Sequence, residues 1–385
     1  MTGGSALAAA RQMAPGLADR SKAIEAAGRL PDDVVHQLRA SGIPALWLPA
    51  ELGGAEATPA EVVDAIATLS AADGSTGWCA AVAAGTNALA AYLPVDGAHD
   101  IFSDSTITGG SFNPGARAAM AADGSLRLSG RWGFGSGSSH ADWLAGACLL
   151  VGDDGEPLTD EDGRPVGRVA FFPAAAATIH DTWHTSGLRA TASHDYEVEA
   201  LDVPASHTTA FPLTPWPAGA MWRMPPMPLF FAPLAAVSIG IARGACDDLV
   251  ALAQTKTPYR STRRLAERDV VQSMAARAEA ATRSARAFLV EALDGLRLAA
   301  ENGADISLEE RAIARLAVVN AAQAGMAAVG LCFEAAGTTS LFVDHPLQRR
   351  HRDVHALGQH VVLAFPGLET VGRVLFGLEP DTPLL

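Results

Sequence analysis

Residues 125–137 read SLRLSGRWGFGSG. Apolar and polar side chains alternate here with a period of two, which is the pattern of a strand with one buried face. The glycines and serines weigh against a helix. Downstream, WLAGACLLVG (143–152), RVAFFPAA (168–175) and YEVEALDVP (196–204) share this character. Turn-rich sequence separates them, and the acidic run Asp153–Arg164 has hairpin composition. Short strands at this spacing predict a small antiparallel barrel or sandwich over 106–210.

On both sides of this block the period changes to that of helices. Upstream, apolar residues recur three and four apart through Leu7–Ala27, Pro31–Ser41, Pro59–Ala72 and Thr76–Leu93. The last of these is apolar nearly all round and is expected to be central. Downstream, prolines 212, 215, 217, 225, 226 and 228 read as a linker. Then Leu234–Ala253, Asp269–Asn302, Ser307–Ala336 and Pro346–Phe376 read as four long helices with short connections, an antiparallel bundle. The expected organisation is helical over 1–105, β over 106–210 and helical over 211–385.

The chain of 385 residues is 49% hydrophobic and only 18% charged, with a net charge of −14. The acidic balance argues against nucleic-acid or anionic-membrane partners, which need clustered Lys and Arg. So few charges predict self-association. Cys79, Cys148, Cys246 and Cys332 are scattered, with no metal spacing, and read as buried reduced thiols of a cytoplasmic protein. The N-terminus has no apolar core of signal-peptide length. The longest apolar stretch, Leu229–Ala242, is shorter than the ~20 residues that span a bilayer. No GxGxxG or GxxxxGK[ST] run occurs, which argues against Rossmann and P-loop sites.

The order of the three parts resembles the acyl-CoA dehydrogenase fold. GGSFNPGARA (109–118) stands where that family has a flavin-contacting TEPG segment. RLSGRWGFGSG (127–137), GLRATASHD (187–195), HPLQRRHRD (345–353) and the closing GRVLFGLEPDTPLL are similar to its further motifs. The closer resemblance is to the oxygenase components of two-component flavin-dependent monooxygenases. That subgroup includes 4-hydroxyphenylacetate and hydroxysteroid hydroxylases and dibenzothiophene monooxygenase. Its S-x-GW, W-x-F-x-SG and HPLQR-x-x-RD patterns correspond to Ser75–Trp78, Trp132–Gly137 and His345–Asp353, with His360 eight residues beyond Arg352.

The resemblance implies a mainly α protein: an N-terminal helical domain, a small antiparallel β-barrel and a C-terminal four-helix bundle. It implies reduced flavin (FADH2 or FMNH2, left open) and O2, activated as a C4a-hydroperoxide. A separate NAD(P)H:flavin reductase, an organic substrate of cyclic or aromatic type and a homotetramer complete the expectation. His360 is the implied catalytic residue, as donor to the activated oxygen or as acceptor of a substrate proton. Trp78 corresponds to a tryptophan near the flavin, or is a core residue of its helix. Phe112 lies in the TEPG-like segment. Phe134, Ser136 and Gly137 suit the apolar shelf and polar edge of a flavin, and strand alternation would put Trp132, Phe134 and Ser136 on one face. Arg263, in RSTRRLAERD, resembles an arginine that meets flavin phosphate across a subunit interface, or is a solvated charge. Thr338 and Thr339 lie where the fold brings a loop to the flavin, or form a plain helix end. Thr191 and Ser193 are further candidates for the same cavity.

Two other readings are carried. A dehydrogenase on this fold needs a carboxylate over the flavin. Between Glu334 and Glu369 the only acids are Asp344 and Asp353, and between Asp202 and Asp247 there is none. The third reading is a flavin-free paralogue acting as an assembly partner.

Overall fold

The computed structural model describes residues 2–211, 213–382 and 385. Pro212 of the proline-rich stretch lies outside them, as do Met1, Pro383 and Leu384. Five helices come first: α1 (Gly3–Ala27), α2 (Asp32–Ala40), α3 (Pro59–Ala72), α4 (Gly74–Asn87) and α5 (Val95–Ile101). Their starts follow from local chemistry. Thr58 and Glu61 form a reciprocal capping box at α3. The Asp73 carboxylate accepts from the Thr76 N–H (2.7 Å) at the start of α4. Every residue of α4 except Val82 is buried, as its all-round apolar sequence predicts.

Seven strands follow: β1 (Thr108–Met120), β2 (Leu126–Gly135), β3 (Trp143–Val151), β4 (Gly167–Pro173), β5 (Thr178–His180), β6 (His194–Val203) and β7 (Thr208–Ala210). They make one sheet of order β5-β6-β2-β1-β3-β4-β7. The expected antiparallel barrel is corrected to an open, mixed sheet. β2 pairs antiparallel with one side of β1, and the chain then crosses to the other side, so β3 runs parallel to β1. Alternation fixes which residues face inward but carries no information on strand direction. Ala145, Ala147, Val169 and Phe171 face the helical core. Leu144, Cys148, Ala170 and Phe172 face a second core, where Trp132 stacks on Tyr196 at 5.0 Å.

The C-terminal part holds α6 (Pro226–Thr255), α7 (Asp269–Glu301), α8 (Leu308–Ala336), α9 (Pro346–Leu357) and α10 (Gly367–Leu375). Two expectations change here. The prolines at 226 and 228 belong to the first turn of α6, where a missing N–H costs nothing. The fourth long helix is instead two short ones: its chain turns at 358–366, between Gly358 and the Pro366–Gly367 pair. α6 and α8 are long and apolar enough to cross a membrane by length and composition. The apolar window of α6 is 89% buried inside the protein, which makes it a core helix. α6 packs on α3, α4 and α8, so helices from before and after the sheet share one core. At Gly240 a Cβ would lie 2.3 Å from the Ala67 carbonyl oxygen, so only glycine permits this approach of α6 to α3.

Candidate active site

Trp78 projects from α4 into the junction between the helices and the sheet. It is buried, and its Nε1–H donates to Ser136 Oγ (2.9 Å). Ser136 stands just past β2, beyond a register shift between Trp132 and Gly135. The shift overturns the expected one-faced alternation. Trp132 is buried in the second core, while Phe134 takes a left-handed φ of 63° and is 73% exposed. An aromatic residue rarely adopts that conformation. Gly133 and Gly135 on either side of it give the strand room to bulge.

Ser136 continues a chain of hydroxyls. Ser136 Oγ lies 2.7 Å from Ser193 Oγ, and Ser193 Oγ 2.7 Å from Thr191 Oγ1. Thr191 Oγ1 donates to the Leu188 carbonyl (2.8 Å). That last bond fixes the direction of the others. Thr191 accepts from Ser193, Ser193 accepts from Ser136, and Ser136 accepts from Trp78. Every proton in the chain is committed inward, so Ser136 presents only a lone pair to a ligand. Gly137, at φ 77°, adds its N–H to the Thr191 carbonyl (3.0 Å). Thr191 and Ser193 thus belong to this cluster, and their positions in GLRATASHD are the signal that marked them.

His360 packs edge-on against Trp78, with ring centroids 5.4 Å apart at 68°. It sits in the turn after α9, not on a helix. Its Nδ1 accepts from the Val362 N–H (3.4 Å). Burial, and then the positive charge of Arg315, pull its pKa down to about 4. The imidazole is therefore neutral at pH 7. His355 and His351 lie elsewhere, their rings 4.4 Å apart and tilted by 54°, with His351 also against Phe333 (4.5 Å).

Two further candidates are exposed rings. Phe134 meets Trp183 edge-on at 6.1 Å, and Phe112, 45% exposed, tilts against Phe230 of α6 at 6.0 Å. Uncovered aromatic faces, an acceptor hydroxyl and a glycine backbone fit a flat ring with one polar edge, which is the shape of an isoalloxazine.

The remaining candidates form a second group. Thr338 lines a cavity of about 330 Å³ together with Glu334–Gly337, Lys256, Pro258, Tyr259, Leu265, Arg268, Val270, Val271 and Met274. Thr339 follows it and is half-buried. Arg263 lies in the 256–268 loop that forms one wall. Its guanidinium donates to the Glu267 carbonyl and pairs with Asp269 at 3.5 Å. Among the described residues no hydrogen bond, ion pair or ring contact joins this group to Trp78, Ser136 or His360.

The carboxylates needed for the dehydrogenase reading are engaged elsewhere. Asp344 is exposed and paired with Lys22. Asp353 is 4% exposed and accepts from the Leu188 N–H (2.7 Å). Burial raises its pKa to about 7, against that hydrogen bond. The four cysteines are buried and free, with Cys246 Sγ 3.9 Å from Cys332 Sγ. Among the described residues no group of three His, Cys, Asp or Glu is placed to hold a metal ion.

Family models agree with this architecture. The acyl-CoA dehydrogenase N-terminal domain matches residues 7–96, and the acyl-CoA dehydrogenase C-terminal domain matches residues 232–365. The indole-3-acetate monooxygenase of Pseudomonas putida is 31% identical over 351 residues, covering 90% of this chain and 87% of that protein. The oxygenase component of the FADH2-dependent resorcinol hydroxylase of a Rhizobium strain is 30% identical, covering 92% and 90%. Among solved structures, XiaF from Streptomyces in complex with FADH2 and glycerol superposes with a TM-score of 0.91 at 26% identity, covering 100% and 98%. The chain belongs to the flavin-dependent monooxygenases built on the acyl-CoA dehydrogenase fold.

Proposed function

We propose that this chain is the oxygenase component of a two-component system, taking reduced flavin from a separate NAD(P)H:flavin reductase and transferring one atom of O2 to a cyclic or aromatic small molecule. The observation that carries the reading is the joining of Trp78, Ser136 and His360 at one place with no carboxylate among them. Names of the relatives support a cyclic or aromatic substrate: indole-3-acetate for one, resorcinol for another.

Reduced flavin, when bound, supplies the electrons that activate oxygen. The protein's part is to bind, orient and exclude water. Trp78, Phe112 and Phe134 would cover the ring. Ser136 accepts a hydrogen bond from it, and Gly137 lets it approach the backbone. His360 meets the oxygen atom in transit with one imidazole nitrogen. Arg263, Thr338 and Thr339 would hold the phosphate end across a homotetramer interface, where a guanidinium fork suits phosphate. The units at 1–105, 106–210 and 211–385 would then contribute helix, sheet and bundle walls to one site in a cytoplasmic enzyme. No observation favours acyl-CoA oxidation, since Asp344 and Asp353 are already engaged.

The test is coupled turnover with NADH, a flavin reductase, FAD or FMN, and indole as probe substrate, read as oxygenated product by mass spectrometry. Incorporation of label from 18O2 is expected. Anaerobic bleaching of bound flavin by an acyl-CoA, with no product from indole, would replace this reading by dehydrogenation.

A further inference from the structure

His360 makes one side-chain hydrogen bond among the described residues, through Nδ1 to the Val362 N–H. A neutral imidazole carries a single proton, so an accepting Nδ1 leaves the proton on Nε2. Val362 is itself held from its other side. Its carbonyl accepts from Arg315 Nη1. Arg315 comes from α8 and is 7% exposed. It is the only charged residue between Arg311 and Glu334. Its guanidinium lies 5.2 Å from the Phe231 ring centroid, and Gly367 leaves room for Nη2, which a Cβ there would approach to 2.7 Å. It has no ion pair among the described residues, whereas most arginines packed this closely have one. A cation with no carboxylate of its own, beside a half-buried imidazole, opposes a second positive charge there.

We propose that Arg315 is a positioning residue for His360: it pins Val362 so that the imidazole keeps its proton on Nε2, and its charge makes that imidazole a hydrogen-bond donor rather than a base. Among the described residues, the charged or ring groups found to act on the His360 side chain are Trp78 from α4 and Arg315 from α8, together with the Val362 N–H from its own turn. Burial and Arg315 both lower its proton affinity, and no carboxylate opposes them. The inference rests on the proposed role of His360 at the reacting oxygen, and it selects one of the two roles an imidazole can play there. The substrate or the oxygen in transit receives a hydrogen bond from Nε2–H, and His360 is not the acceptor of a substrate proton.

The experiment is 15N NMR of the ligand-free, histidine-labelled protein, with the His360 signals assigned by their loss in His360→Gln. For the wild type the expected spectrum has a protonated Nε2 and an unprotonated Nδ1, unchanged from roughly pH 6 to 8. Arg315→Met should raise the His360 titration midpoint by about one unit and mix the two tautomers. Arg315→Lys keeps the charge and should hold the midpoint near the wild-type value, while its shorter side chain loses the Nη1 bond to the Val362 carbonyl and so mixes the tautomers. A wild-type spectrum with the proton on Nδ1, or an imidazolium at neutral pH, overturns the proposal without recourse to any variant. So does a folded Arg315→Met protein whose His360 signals match the wild type. If His360→Gln oxygenates indole at the wild-type rate, the proposed function loses its catalytic residue, yet the coupling measured in the free protein stands.

Discussion

The two groups of candidate residues are built on opposite principles. Around Trp78, Ser136 and His360 the side chains are largely buried and the hydroxyl chain is oriented from end to end. Around Arg263 and Thr338 they are solvent-facing, and the arginine is occupied by its own loop. The first region is prearranged by the fold of a single chain. The second presents a cavity and an exposed charge paired within its own loop. A site that does chemistry benefits from fixed geometry. One that grips a flexible phosphate tail can be completed when the ligand arrives.

That contrast can be broken by substitution. The largest effect is expected at His360: His360→Gln should lower coupled oxygenation by roughly 10²–10⁴-fold, the range for a positioned proton donor or acceptor. Thermal unfolding should move little, because the amide fills much of the same space. Next comes Trp78→Ala. It removes a buried indole and strands Ser136 Oγ, and should cost about 3–5 kcal/mol in denaturant unfolding. If Trp78→Ala were as stable as wild type, the first region would not be prearranged.

The pH dependence of stability is a further test. The pKa of His360 is lowered to about 4, so the folded state binds its proton less readily than the unfolded chain does. Its contribution is complete above the unfolded value near 6.5 and is lost as pH falls toward 4, at no more than about 1.4 kcal/mol per pH unit. Denaturant midpoints across that window should flatten in His360→Gln. Asp353 has the opposite sense. With its pKa raised to about 7, the folded state holds the proton more tightly, so stability is present at low pH and declines as pH rises from the ordinary carboxylate value through 7. Asp353→Asn should remove that decline, since an amide oxygen still accepts from Leu188.

Smaller again is Ser193→Ala, which leaves the Ser136 proton without an acceptor and should cost on the order of 1–3 kcal/mol. The smallest stability change belongs to the second region. Arg263→Ala should alter unfolding by less than about 0.5 kcal/mol, as exposed substitutions do. Flavin affinity, followed by fluorescence quenching, should fall, and the loss should shrink as salt rises. A large stability loss at Arg263 would mean that this region too is structural.

Much of the fold was legible because helices declare themselves locally. Thr58 with Glu61, and Ser307 with Glu310, close capping boxes that a sequence reader can find. The apolar circumference of α4 foretold its burial. Strand direction was not legible, since β3 runs parallel to β1 only because the chain crosses over after β2. The break that carries His360 was hidden inside a continuous apolar periodicity. The bulge that turns Phe134 outward was signalled only by flanking glycines, which also suit a plain turn. Ser136, Trp78 and His360 could be named from motif order, yet their mutual contacts span 58 residues in one case and 282 in the other. Arg315 was unreadable as a site residue because its hydrogen-bond partner among the described residues is a backbone carbonyl, which leaves no trace in side-chain chemistry.

The sheet has one more consequence. Being open, it ends on two edges, and these are β5 and β7, each three residues long. A free edge is a template on which a second chain can add strands, and a very short edge offers it little purchase. Growth of this protein by strand addition is thereby discouraged, and copies that meet are left to do so through helices and loops.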